Sequence, residues 1–244
     1  MSSRLKRQAT IARFMKLLRL ACFVAASFCL SRNVYGQGFV NLDFESADVS
    51  GYSPGQPVPV GSALPGWGAY FITGGTTNAL TQVRYDGISA GTAAISIIDS
   101  GAPTDFLPLQ GEYSAYLFGS NLTGDEAAMI SQTGLVPNGT VSLLMDVYTF
   151  YNFEVTLGGQ TINMVPLQSF SNYTLYGGNI SSFAGNIETL SLIAPPTGGP
   201  NDEEFDDIQF SPLPVPEPTV FGLLALGGLL FGLFRFKRLA AKLV

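Results

Sequence analysis

Val141-Ser-Leu-Leu-Met-Asp-Val147 and Phe153-Glu-Val-Thr-Leu-Gly-Gly-Gln-Thr-Ile-Asn-Met-Val165 decide the fold class. In the first run Val141, Leu143, Met145 and Val147 alternate with Ser142, Leu144 and Asp146. A period of two puts the apolar set on one face of a half-buried strand. In the second, Phe153, Val155 and Leu157 alternate with Glu154 and Thr156 before Gly158-Gly159. Both glycines accept the positive φ of a primed turn, so the spacing predicts a tight hairpin there. Val40, Leu42 and Phe44 alternate with Asn41, Asp43 and Glu45 and predict an opening strand. Further strands are expected at 67–72, 81–85, 93–98, 113–118, 127–132, 173–176, 187–193 and 205–210. Helical periodicity is nearly absent, with one turn expected at 181–184. Short strands parted by Gly, Pro, Asn and Ser predict an all-β fold, a single jelly-roll-like β-sandwich over residues 37–210.

Prolines punctuate the rest. Residues 46–65 carry Pro54, Pro57, Pro59 and Pro65, which forbid continuous pairing and predict a loop around a sheet edge. Residues 195–204 read as a Pro/Gly-rich, then acidic, connection, and the acids at 202–207 as a solvated cluster. Residues 211–219 form a stiff Pro-rich linker.

Charge separates the parts. Of 12 basic residues, seven lie at or before Arg32 and four at or after Arg235. Residues 37–213 hold 17 of the 18 acids and one cation, Arg84, a net charge of −16. Such a domain repels phosphate backbones and excludes nucleic acid as a partner. Both cysteines, Cys22 and Cys29, precede it, so the domain has no thiol and is held by its core alone.

The ends have their own grammar. Residues 1–19 are basic and free of acid, and 20–30 are apolar, the pattern of a secretory signal helix over 1–36 with cleavage between Gly36 and Gln37. The alternative is an uncleaved anchor. At the other end, the apolar run 220–234 precedes Arg235, Lys237 and Arg238, and cations after a span stay on the cytoplasmic side. Fifteen helical residues reach roughly 22 Å, short of a hydrocarbon core of about 30 Å, so residues 220–244 predict a marginal transmembrane helix and basic tail. Val215, Pro216, Glu217, Pro218 and Thr219 before this run, with Arg235, Lys237 and Arg238 after it, resemble the PEP-CTERM sorting tail of bacterial surface proteins. That resemblance implies an exosortase-type membrane enzyme as partner, export through the inner membrane, anchoring by the C-terminal helix, and cutting near the triplet. The competing reading is an ordinary C-terminal anchor.

The domain also carries a resemblance. Phe39-Val-Asn-Leu-Asp-Phe-Glu45, Leu64-Pro-Gly-Trp67 and Phe205-Asp-Asp-Ile-Gln-Phe210 are similar to pieces of galactose-binding-like jelly rolls, which include carbohydrate-binding modules. This implies neighbouring first and last strands, and with them a structural calcium site at Asp43, Glu45, Asp206 and Asp207, since hard cations want several carboxylate oxygens.

The chain has no histidine, and its domain has neither cysteine nor lysine, which excludes Ser-His-Asp and Cys-His catalysis and His/Cys zinc sites. Carboxylates remain. Glu45, Glu112, Glu154 and Glu188 are the glycoside hydrolase candidates, but 17 acids on such a domain place some pair at hydrolytic spacing by chance. Trp67, Tyr70, Tyr85, Tyr113, Tyr116, Tyr148 and Tyr151 are candidate sugar-stacking aromatics, with Trp67 and Tyr116 taken as the ligand-binding pair, against their use as core. The expectation is a non-catalytic, exported cell-surface or extracellular-matrix protein associated with exopolysaccharide, with no resident cofactor beyond that calcium. Its alternatives are a carbohydrate-binding module with a defined sugar site and a hydrolase.

Overall fold

The structure, a computed structural model, describes residues 37–88, 91–101, 106–120, 125–197 and 201–215. The signal segment 1–36 with Gly36, and the tail 216–244 with Pro216, Glu217, Pro218, Thr219, Arg235, Lys237 and Arg238, lie outside the described residues. Among the described residues no helix is long and apolar enough to cross a membrane.

Alternation becomes two sheets. In chain order the strands are β1 (Pro57–Pro59), β2 (Gly68–Thr73), β3 (Thr76–Ala79), β4 (Gln82–Tyr85), β5 (Ala94–Ile98), β6 (Ser114–Gly119) and β7 (Glu126–Leu135). They continue with β8 (Ser142–Thr149), β9 (Glu154–Leu157), β10 (Gln160–Thr161), β11 (Val165–Ser169), β12 (Thr174–Asn179), β13 (Ile187–Ala194) and β14 (Asn201–Ser211). One sheet runs β1-β4-β5-β6-β14-β8-β12-β11 and the other β10-β9-β13-β7-β2-β3. Pairing is antiparallel apart from β4 with β5. The result is an all-β sandwich. Its core takes the inward parity of both sheets, with Ile95, Ile97, Leu117, Leu143, Met145, Val147 and Phe205 from one and Ile130, Val155, Leu157, Leu190 and Leu192 from the other.

The hairpin forms where expected. Gly158 (φ 58°) and Gly159 (φ 75°) join β9 to β10, with Leu157 opposite Gln160. A 3-10 turn occupies Ser181–Phe183. Within the proline-rich stretch, β1 pairs with β4 at the sheet edge, and a one-turn helix follows at Val60–Ala63.

Two expectations are corrected. Residues 40–45 are not a strand. Gln132 serves both backbone groups of Val40, its Oε1 accepting the N–H at 2.6 Å and its Nε2 donating to the carbonyl at 2.9 Å. Asn41 (φ 50°) and Phe44 (φ 56°) then turn the chain across the sandwich end. The acids at 202–207 are not a solvated loop. They lie in β14, a central strand between β6 and β8, and Glu203, Glu204 and Asp206 are buried.

Candidate functional site

The sandwich has one end closed by aromatics and one end left with a cleft. At the closed end Phe44 packs on Trp67 with centroids 5.6 Å apart, and Phe39 stacks on Phe210 at 4.9 Å. Trp67 is 4% exposed and its indole N–H donates to the Asn41 carbonyl at 2.9 Å. Gln37 enters here, its carbonyl accepting the Leu135 N–H, and here the chain leaves. Ser142 Oγ donates to the Leu213 carbonyl, and Val215 lies against Gly177 on the outer face of the larger sheet.

At the other end β8 finishes and the chain crosses to β9 through residues 150–153. Tyr148, Phe150, Tyr151 and Phe153 crowd this crossing. Phe150 is 58% and Tyr151 60% exposed, their rings 5.0 Å apart edge to face. Phe153 turns inward against Tyr176 and Phe205. Beside the crossing lies a cleft of about 520 Å³, walled by Thr149, Tyr151, Asn152, Glu154, Thr161, Asn163 and Tyr176 among others. That volume is within the range of small-ligand sites.

β14 fastens the crossing. Asn201 Nδ2 donates to the Asn152 carbonyl at 2.8 Å, and the Asn152 N–H is shared between Asn201 Oδ1 (3.3 Å) and Glu203 Oε1 (3.2 Å). The Phe150 N–H donates to the Asp202 carbonyl at 3.1 Å. Glu203 is sealed beneath, its Oε2 and the neighbouring Thr149 Oγ1 both buried without a well-formed hydrogen bond, although the hydroxyl is near enough to favour the charged carboxylate. Burial pushes its carboxyl up to about 7. Glu154 Oε1 accepts the Thr161 hydroxyl at 2.7 Å. A second cleft, of about 490 Å³, opens between β2, β4 and β5 and holds Arg84 and Glu126.

The residues singled out from sequence fall elsewhere. Trp67 plugs the closed end. Tyr116 is 0% exposed, under Phe106 on the outer face of the larger sheet, and donates its hydroxyl to Asp202. Neither offers a ring face to a ligand, a correction to their assignment as the binding pair. Tyr116 sits on the outer face of β6, and Phe106 packs across it there.

The proposed calcium ligands meet only in part. Glu45 and Asp206 come within electrostatic reach. Glu45 Oε1 accepts the N–H groups of Glu112 (2.7 Å) and Tyr113 (3.0 Å). Asp206 Oδ2 accepts from Ser114 Oγ (2.8 Å) and the Gln110 N–H (3.0 Å), and its Oδ1 from the Asp207 N–H (2.8 Å). Asp43 caps its own turn, and Asp207, at φ 43° in a bulge, accepts from Gln209. Donors already hold Glu45 Oε1 and both oxygens of Asp206, which leaves the four carboxylates short of the shared set of oxygens that calcium takes. Among the described residues no group of three or more His, Cys, Asp or Glu is arranged to hold a metal. Burial pushes the Asp206 carboxyl up to about 7, with Glu45 adding to the shift.

Sequence reasoning weighed Tyr151 but missed Phe150, Asn152 and Glu203. Three aromatics within Tyr148-Thr-Phe-Tyr151, where the alternation breaks, were the available signal. Nothing local marked Glu203.

No family model and no curated protein matches the chain. Among solved structures, one similar chain is described as TmCBM61 in complex with beta-1,4-galactotriose. It shares 12% identity and a TM-score of 0.33, over 47% of this chain and 79% of that one.

Proposed function

We propose that this chain is an exported, non-catalytic protein of the cell surface or extracellular matrix, whose jelly-roll-like sandwich holds exopolysaccharide in the end cleft. Delivery runs through the signal segment 1–36 and the PEP-CTERM-like tail, with an exosortase-type enzyme cutting near Pro216-Glu-Pro218. The observation that carries the binding reading is the exposed Tyr151, edge to face with Phe150, in the wall of a cleft that mixes apolar side chains with amides, hydroxyls and one carboxylate. Exposed rings stack on the C–H faces of pyranoses, and the polar walls serve their hydroxyls.

Position supports it. β8 leads away from Ser142, where the linker is tied, to Thr149, where the cleft begins. At about 3.3 Å per residue the strand separates the two by roughly 23 Å. The non-catalytic reading is supported by the cleft's carboxylates. A glycosidase needs two that face one bond, whereas Glu154 lines the cleft and Glu203 is sealed beneath it.

Two measurements test the proposal. Affinity electrophoresis in glycan-containing gels is expected to retard the wild-type chain and not Tyr151→Ala. Equal mobility of both in every gel removes the binding role. Mass spectrometry of the mature C-terminus in a host with an exosortase is expected to find the tail gone, and Val244 still attached counts against sorting.

A further inference from the structure

We propose, on the reading that the end cleft binds saccharide, that its ligand is an uncharged glycan and that uronates are refused. The argument starts from what a uronate carboxylate needs. Leaving water costs it several kcal/mol unless a cation or several donors replace the lost hydration. Among the described residues the only cation is Arg84, and it lines the other cleft, on β4. The end cleft instead has Glu154 in its wall and Glu203 behind Thr149 and Asn152.

Two of its donors are already committed. The Asn152 N–H goes to Asn201 and Glu203, and the Thr161 hydroxyl to Glu154. Burial, reinforced by the charge of Glu203, raises the Tyr176 phenol, which stays neutral. What remains is a few neutral amides and phenols, the apolar side chains of Phe153, Val155, Ile162 and Met164, and a carboxylate that accepts from hydroxyls and repels a second carboxylate. That set matches sugar hydroxyls, which donate as readily as they accept.

The domain's −16 charge also draws cationic polymers, but that attraction is long-range and falls with salt. Stacking on Phe150 and Tyr151 needs no charge and persists.

The test is affinity electrophoresis of the full chain in detergent, with gels containing a neutral glucan, a neutral galactan, polygalacturonate or chitosan. Each is run at about 0.05 M and about 0.5 M salt, a range that shortens the screening length several-fold. The expected result is retardation by at least one neutral polymer, unchanged by salt and about tenfold weaker in Tyr151→Ala. Polygalacturonate is expected to give none at either salt, because the obstacle is the missing cation in the cleft rather than distant repulsion. Any chitosan effect is expected to vanish at high salt and to survive Tyr151→Ala. Retardation by polygalacturonate that Tyr151→Ala abolishes would overturn the charge assignment and leave the glycan-binding reading standing. Salt-resistant, Tyr151-dependent retardation by chitosan alone would do the same. Retardation by no polymer would overturn both. Tyr151 is exposed, so unchanged melting of the variant confirms that binding and not folding was altered.

Discussion

The two ends of the sandwich are built from the same residue types and do opposite things with them. At the closed end Trp67, Phe44, Phe39 and Phe210 are locked ring on ring, and the indole N–H is spent on Asn41. At the open end Phe150 and Tyr151 stand in solvent, while the backbone beneath them is pinned by Asn201 and Glu203. An aromatic here is structural when something lies across its face and available when only its backbone is held.

Removing an aromatic from each end breaks the comparison most directly. Trp67→Ala is expected to cost about 3–5 kcal/mol, the range for deleting a large buried ring, read by urea denaturation. A loss below about 1 kcal/mol would show that the closed end is not packed as described.

The buried acids give the next largest effect. Glu203 and Asp206 have folded-state values of about 7, above their ordinary 4.5 and 3.8. A raised carboxyl contributes stability that is fully present below its unfolded value and is lost as pH rises through the folded one. The domain is therefore expected to melt highest near pH 4 and to lose stability up to pH 7–8, by about 3 kcal/mol or less for each group. Repulsion among the 17 acids acts in the same direction. Glu203→Gln and Asp206→Asn should each flatten the profile. A melting temperature that climbs from pH 5 to pH 8 refutes the assignment.

Tyr151→Ala is expected to leave stability within about 0.5 kcal/mol of wild type while weakening glycan retention. A large loss of stability would make the open end structural as well and erase the contrast. The smallest effect belongs to calcium. With donors on Glu45 and Asp206, chelator is expected to move the melting temperature by no more than about 1 °C, and a shift of several degrees would place an ion there.

The sequence's legibility followed the same division. Alternation in 141–147 and 153–157 led directly to β8 and β9, and Gly158-Gly159 to the turn between β9 and β10. The same alternation failed in 40–45, because Gln132 supplies the hydrogen bonds a neighbouring strand would have made. Asn201 to Glu204 failed in the other direction. Four polar residues after Pro200 carry every local mark of a loop, yet they fill the slot between β6 and β8. Trp67 and Tyr116 were drawn from an aromatic set whose members differ only in what covers them.

The chain alone determined its two-residue period, its hairpin, the absence of thiol and imidazole in the domain, and the separation of one acidic body from two basic ends. Each is a property of composition, of neighbours in sequence or of the φ angle one residue permits. The tertiary structure decided which rings are covered, which carboxylates are sealed from water and which end stays open. Burial depends on segments that meet across the fold: Gln132 on Val40, Asn201 on Asn152, Phe106 over Tyr116. No local pattern encodes what will lie across a face.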